Sequence, residues 1–205
     1  MLLSLVATAS LAQAMRDATA AETKSMIETV NRKSASIKTI SCSFTQEKKM
    51  SMLNDKLVSR GVMYYSNAGK LRWEYTSPYS YILVINNNTV TMKSGSRKST
   101  VDMSTSKLFQ AIARIMAGSV TGKSLSNNRD FNVKMYCYNE YWAADLEPKE
   151  ANMKKMFKYI RLYFNTTHTL VYKVEIVEKN GDVTTIKLNN IETNKQISNS
   201  KFTVD

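Results

Sequence analysis

The sequence predicts a mainly β protein: one large curved antiparallel sheet or barrel, with helices over its concave side. Segments of six to ten residues with an apolar period of two recur along the chain, and Asn- and Gly-rich turns separate them. No alternation of strands with crossover helices is present, so a parallel sheet is not expected. At 205 residues the chain is long enough to form one domain that buries most of its apolar surface without metal or disulfide staples.

Taken in order, the chain opens on MLLSLVATASLAQA, an apolar run ending in Ala12-Gln13-Ala14, the small-residue pattern that signal peptidase leaves. Residues 1–14 read as a secretory signal peptide, too short to span a bilayer, and residues 15–205 as a single domain. The usual positive n-region is missing, since no Lys or Arg precedes Arg16. The alternative is an apolar N-terminal helix packed on the domain. With no Cys in the first 41 residues, a lipid anchor at the chain's own N-terminus is not expected. The expectation is a soluble exported protein.

From Ala18 to Ile37, Met26, Ile27, Val30 and Ile37 fall at roughly helical spacing among Glu22, Lys24, Glu28, Arg32 and Lys33, which predicts an amphipathic helix. The period then changes to two, with strands expected over about 39–50, 57–66, 70–76, 80–86 and 89–94. In KLRWEYT, at 70–76, Leu71, Trp73 and Tyr75 share one face while Arg72 and Glu74 take the other. Asn67-Ala68-Gly69 and Asn86-Asn87-Asn88 supply turns. Residues 107–120 break the rhythm. Leu108, Phe109, Ile112, Ile115 and Met116 form a broad helical stripe there, and Gly118 stands near its end. Strands are expected again over about 130–138, 141–147, 155–164, 169–178 and 182–191, with Asn180-Gly181 as a hairpin turn and a short last strand at 201–204. The total is about eleven strands and two helices. A strongly curved sheet covered by movable helices encloses a cavity.

The formal charge of +12, from 29 Lys and Arg against 17 Asp and Glu, favours contact with an anionic surface: nucleic acid, phospholipid headgroups or an acidic partner. An export signal weighs against nucleic acid. Cys42 and Cys137 are too far apart for a local metal site or a redox pair; free buried thiols are expected, with a disulfide between them as the alternative. His168 is the lone histidine and falls in a turn, so ordinary zinc sites and histidine-assisted nucleophiles have little support. Glu74, Asp145 and Glu147 have the chemistry for acid–base work, but spacing alone does not pair them. No phosphate-binding glycine loop occurs. The chain is therefore expected to be no enzyme and to hold no cofactor or metal. Its 11 Tyr, 2 Trp, 6 Phe and 12 Met are adaptable cavity liners or ordinary core.

Ser43-Phe44-Thr45-Gln46, then Gly61 opening a strand, then Leu71-Arg72-Trp73-Glu74-Tyr75 with Pro78 and Ile82-Leu83-Val84, resembles the N-terminal half of the periplasmic lipoprotein carrier family LolA. Leu146-Glu147-Pro148-Lys149, the strand pair around Asn180-Gly181 with Thr184 and Ile186, and Phe202 continue the resemblance over about 20–205. It implies an unclosed, half antiparallel β-barrel of about eleven strands with helices forming a lid over an apolar cavity. It further implies a non-enzymatic, monomeric periplasmic carrier, a chaperone for acylated lipoproteins. Such a carrier takes its cargo from an inner-membrane ABC-type lipoprotein-releasing complex and hands it to an outer-membrane acceptor. On that basis the cavity walls are expected from Leu71, Trp73, Tyr75, Ile82 and Val84, and the lid from Phe109, Ile112, Ile115 and Met116. Where many members have Arg-Pro ahead of the aromatic strand, this chain has Asn67-Ala68. Lys70 or Arg72 is the candidate substitute, though alternation turns Arg72 away from Trp73. Two alternatives stand beside the carrier: a lipid or glycolipid binder of the same architecture, and an exported basic module that binds an acidic partner.

Overall fold

The computed structural model describes residues 15–52, 55–102, 125, 130–138, 141–167 and 170–204. Twelve strands form one antiparallel sheet. They are β1 Arg16–Asp17, β2 Thr39–Lys49, β3 Lys56–Ser66, β4 Lys70–Ser77, β5 Tyr81–Asn86, β6 Thr89–Ser94, β7 Arg97–Asp102, β8 Phe131–Tyr138, β9 Tyr141–Pro148, β10 Phe157–Phe164, β11 Val171–Glu178 and β12 Val183–Thr193. Helix α1 spans Ala20–Ser34, the short α2 spans Ala151–Met156, and a 3-10 turn covers Asn199–Phe202. The spatial order is β1-β8-β9-β10-β11-β12-β2-β3-β4-β5-β6-β7, so β1 and β7 are the two edges and the barrel is not closed. The chain between β7 and β8 links opposite sides of the sheet.

Local chemistry explains the boundaries. Helix α1 starts where Thr19 and Glu22 form a capping box: the Glu22 N–H donates to Thr19 Oγ1 at 3.2 Å, and the Thr19 N–H donates to Glu22 Oε2 at 2.8 Å. Arg16 adds two hydrogen bonds to the same carboxylate, which hold its pKa down to about 2. Arg32 and Lys33 complement the dipole in the last turn. Strand β4 follows a turn at Gly69 (φ +77°) and β6 follows one at Asn87 (φ 53°), backbone that Gly and Asn tolerate. Asn190, at φ 53°, sits in a bulge of β12 between the paired residues Asn189 and Glu192, which bends the sheet at its centre.

Alternation along the strands divides the sheet into an inner face and an outer face. Two clusters fill the inner face. In one, Met26 and Val30 of α1 pack on Met135, Leu146, Leu162 and Phe164 of β8–β10, with Met153 of α2 and Leu125. In the other, Ile40 and Phe44 of β2 meet Met63, Leu71, Trp73 and Ile85 of β3–β5. Helix α1 thus covers the β8–β10 half of the sheet.

Four features depart from expectation. Strands β1 and β7 were not expected: β1 is two residues long, and Arg97–Asp102 (RKSTVD) lacks apolar alternation because it is a solvated edge. Residues 201–204 are not a strand; Phe202 is buried and the backbone around it turns. The expected strand at 155–164 begins at Phe157, because Glu150 accepts from the Met153 N–H and caps α2 just before it. The helix expected from Ala18 spans Ala20–Ser34, and Ile37 belongs to the second cluster instead. The helix expected at 107–120, the signal segment 1–14 and His168 lie outside the described residues.

Gly61 is the tightest position in the sheet. A Cβ there would lie 2.0 Å from the Glu74 carbonyl oxygen and 2.4 Å from Phe44 Cζ, because the Phe44 ring lies across it. Gly61→Ala is therefore expected to lower the urea midpoint by an amount worth about 1–3 kcal/mol; an unchanged midpoint would contradict this packing.

Candidate functional site

On β4, Leu71, Trp73 and Tyr75 face inward. Register with β3 and β5 sets their neighbours: Leu71 lies opposite Tyr65 and Ile85, Trp73 opposite Met63 and Leu83, and Tyr75 opposite Gly61 and Tyr81. Phe44 stacks on Trp73 with ring centroids 4.1 Å apart and meets Tyr75 edge-on at 5.3 Å. Such pairs contribute about 0.5–1.5 kcal/mol beyond area burial. The Tyr75 hydroxyl donates to Gln46 Oε1 at 2.8 Å, and burial raises its pKa, so the phenol stays neutral.

Exposure is graded along this wall. Leu71 and Trp73 are buried and act as its core, whereas Tyr75, Tyr81, Leu83 and Met92 are half-buried.

Ile82 and Val84 do not share the wall. They pair with Glu74 and Arg72, which places them on the outer face; Leu83 and Ile85 hold the inner positions of β5. Strand β5 reads YILVIN and is apolar in both phases, so only register decides. Its outer face is apolar because the C-terminal segment covers it. Ile82 lines an outer cleft with Arg72, Lys93, Ser200, Lys201, Thr203 and Val204. Phe109, Ile112, Ile115 and Met116 fall outside the described residues.

Lys70 and Arg72 do not reach the inner face either. Arg72 pairs with Glu74 at 2.7 Å and donates to the carbonyls of Lys201 and Thr203 at 3.3 and 3.0 Å. Lys70 donates to Asn199 Oδ1 at 3.1 Å and lies over the Phe202 ring, and Lys98 donates to the Val204 carbonyl. These three basic residues strap the C-terminal segment to the outer face. Sequence reasoning missed this role because the Lys70 and Arg72 contacts bridge about 130 residues of chain.

Of the three carboxylates, Glu74 lies on β4, while Asp145 and Glu147 share one face of β9. Glu74 serves Arg72 on β4. Asp145 on β9 is buried, accepts two hydrogen bonds from Arg161 at 2.5 and 2.7 Å, and accepts one from the Tyr136 hydroxyl at 3.0 Å. Glu147 is exposed. No group of three or more His, Cys, Asp or Glu placed to hold a metal occurs among the described residues. Both cysteines are free thiols: Cys42 is buried in the second cluster, and Cys137 is half-buried beside the first.

A family profile described as outer membrane lipoprotein carrier protein LolA matches residues 35–205. The chain belongs to the LolA family. No curated protein matches the sequence. Among solved structures, it is similar to an uncharacterised conserved protein from Thermus thermophilus, with TM-score 0.51 and 12% identity over 87% of this chain and 91% of that one. A LolA superfamily protein from Nitrosomonas europaea gives 0.48 and 10% over 89% and 97%. The lipoprotein LppX of Mycobacterium tuberculosis gives 0.46 and 8% over 88% and 99%. In this LolA-family member, Asn67-Ala68 falls in the β3–β4 turn, and the basic side chains that follow it in sequence, Lys70 and Arg72, serve the C-terminal strap.

Burial pushes the Cys42 thiol up to about 12, so almost no thiolate is available at neutral pH. Iodoacetamide at pH 8 is expected to label Cys42 at least about a hundredfold more slowly in the folded protein than in urea, as read by peptide mass spectrometry. Equal labelling in both states would contradict the burial.

Proposed function

We propose that this LolA-family protein is a periplasmic carrier that shields the acyl chains of lipoproteins on the inner wall built by β2–β6. One observation carries this reading: across the middle of the sheet, charge is confined to one face. The inward positions of β12 and β2–β6 hold one charged side chain, Lys48 at the end of β2, which is paired with Glu178 and Asp182, whereas Arg60, Arg72, Glu74, Lys93 and Lys187 take the outward phase. An acyl chain of roughly sixteen carbons left in water costs on the order of 10 kcal/mol, at about 0.8 kcal/mol per CH₂. A carrier needs an uncharged surface of this kind. It also needs to release its load, and the half-buried Met92 supplies an adaptable lining for that.

In this proposal residues 1–14 direct export and are removed, leaving 15–205 as the working domain. The family resemblance assigns the lid to Phe109, Ile112, Ile115 and Met116, which lie outside the described residues. The cargo comes from an inner-membrane ABC-type lipoprotein-releasing complex and passes to an outer-membrane acceptor. No chemical step is involved, so the protein acts as a chaperone and needs neither cofactor nor metal.

Purified protein is added to membrane vesicles that hold the releasing complex, labelled lipoprotein and ATP, and the soluble fraction is analysed by gel filtration. The expected product is a soluble complex of protein and lipoprotein. Placing a charge on the half-buried wall with Leu83→Asp and Met92→Asp is expected to lower its yield about tenfold or more, since an unpaired carboxylate is poorly solvated against acyl chains. The urea midpoint of the double variant, measured in parallel, separates loss of the wall from loss of the fold. Wild-type protein that releases no lipoprotein would sink the proposal. Bound phospholipid or glycolipid in place of lipoprotein would favour the lipid-binder alternative.

A further inference from the structure

One end of the sheet holds apolar side chains in water. Met52 in the β2–β3 turn is 94% exposed, Leu57 at the start of β3 is 54% exposed, and Met156 at the end of α2 is 44% exposed. Hydrogen bonds bring them to one rim. The Ser51 N–H donates to Asp182 Oδ1 at 2.9 Å and its hydroxyl donates to the Asn180 carbonyl at 2.8 Å, so the β2–β3 turn sits on the β11–β12 turn. A Cβ at Gly181 would lie 3.2 Å from Ser51 Cβ, which shows how closely the turns touch. The Lys179 N–H in turn donates to the Met156 carbonyl at 2.9 Å, which ties in the end of α2.

The charge at this rim is unbalanced. Its acids are engaged: Glu178 and Asp182 with Lys48 at 3.0 and 3.5 Å, Glu47 with Lys56 at 3.1 Å, Glu150 in the cap of α2, and Asp55, exposed in the β2–β3 turn, with the Lys56 N–H at 2.7 Å. Lys49, Lys154, Lys155 and Lys179 are exposed and form no ion pair among the described residues. The rim therefore presents methionine and leucine knobs beside four exposed lysines that form no ion pair among the described residues.

We infer that this rim docks on the surface of an anionic phospholipid bilayer, with Met52, Leu57 and Met156 entering the headgroup boundary and the lysines meeting lipid phosphates. Two features select a bilayer over an acidic protein. The apolar groups project from separate turns and a helix end rather than forming one flat patch, and a fluid surface accommodates separate knobs. The lysines complement negative headgroups around them, which supplies the second signal that weak apolar insertion needs. Leu57 lies in the same phase of β3 as Ser59, Gly61 and Met63, so docking here sets the edge of the inner wall against lipid. The inference does not depend on the carrier function, because the rim's contact with lipid requires no cargo.

The test is flotation of the full protein with vesicles of phosphatidylglycerol and phosphatidylethanolamine, and with vesicles of phosphatidylcholine alone, without any lipoprotein. Binding is expected to the anionic vesicles only and to fade as salt is raised. Met52→Asp with Leu57→Asp is expected to weaken it about tenfold or more. Removing two lysines with Lys154→Ala and Lys155→Ala should weaken it about 25-fold, at about fivefold for each headgroup contact. These residues are exposed, and circular dichroism with the urea midpoint checks that each variant folds. Absence of binding to anionic vesicles, equal binding to both lipids, or binding untouched by the Met52 and Leu57 changes would each overturn the inference.

Discussion

The Phe44 ring lies flat across Gly61, and the two halves of this protein's chemistry follow from that contact. Only hydrogen at Gly61 lets Phe44 stack on Trp73 while meeting Tyr75 edge-on. The packing pins Phe44 opposite Gly61 and Gly61 opposite Tyr75, and so fixes β2, β3 and β4 against one another. A slip of one residue would turn Arg72 and Glu74 inward and Leu71 and Trp73 outward. An uncharged inner wall therefore depends on a register that one aromatic side chain and one missing side chain hold in place.

The outer face is stabilised by other means. Across β8–β11, Asp145 is buried but accepts hydrogen bonds from Arg161 and Tyr136, and the Arg161 guanidinium lies 5.1 and 5.0 Å from the rings of Tyr136 and Tyr159. Tyr163 donates to Glu175 at 2.6 Å, and Lys173 pairs with that carboxylate at 3.1 Å while covering the Tyr163 ring. Charge that is paired and capped by aromatic surface in this way is tolerated close to the sheet. Across β4–β6 the C-terminal segment plays the corresponding part, held by Lys70, Arg72 and Lys98 with Phe202 buried beneath it. The chain thus covers part of its outer face with its own tail and leaves half-buried apolar positions on the inner one.

Much of this was legible in the residues. The alternation of Leu71, Trp73 and Tyr75 against Arg72 and Glu74 predicted a two-faced strand, and it is one. Gly69, the Asn86-Asn87-Asn88 run and Asn180-Gly181 predicted turns, and the backbone takes positive φ at Gly69, Asn87 and Gly181. Three elements were not legible, each for a physical reason. Strand β5 is apolar on both faces, so its period does not say whether Leu83 or Val84 points inward. Strand β7 is polar on both faces because it is an edge, and so it carries no period. Residues 201–204 pattern like a strand, yet Arg72 and Lys98 take up their carbonyls across the sheet.

By itself, the sequence determined that the protein is built of short antiparallel strands, most of them with one apolar face. Period and turn chemistry are local properties, set by residues within one element of each other. Only the tertiary structure decided which residues share the wall, that the basic side chains beside Trp73 hold the tail, and that Met52, Leu57 and Met156 meet at one rim. Those outcomes depend on register and on contacts between distant parts of the chain. Two strands with identical patterns can pair in either phase, and the choice is made by packing, which no single stretch of residues contains.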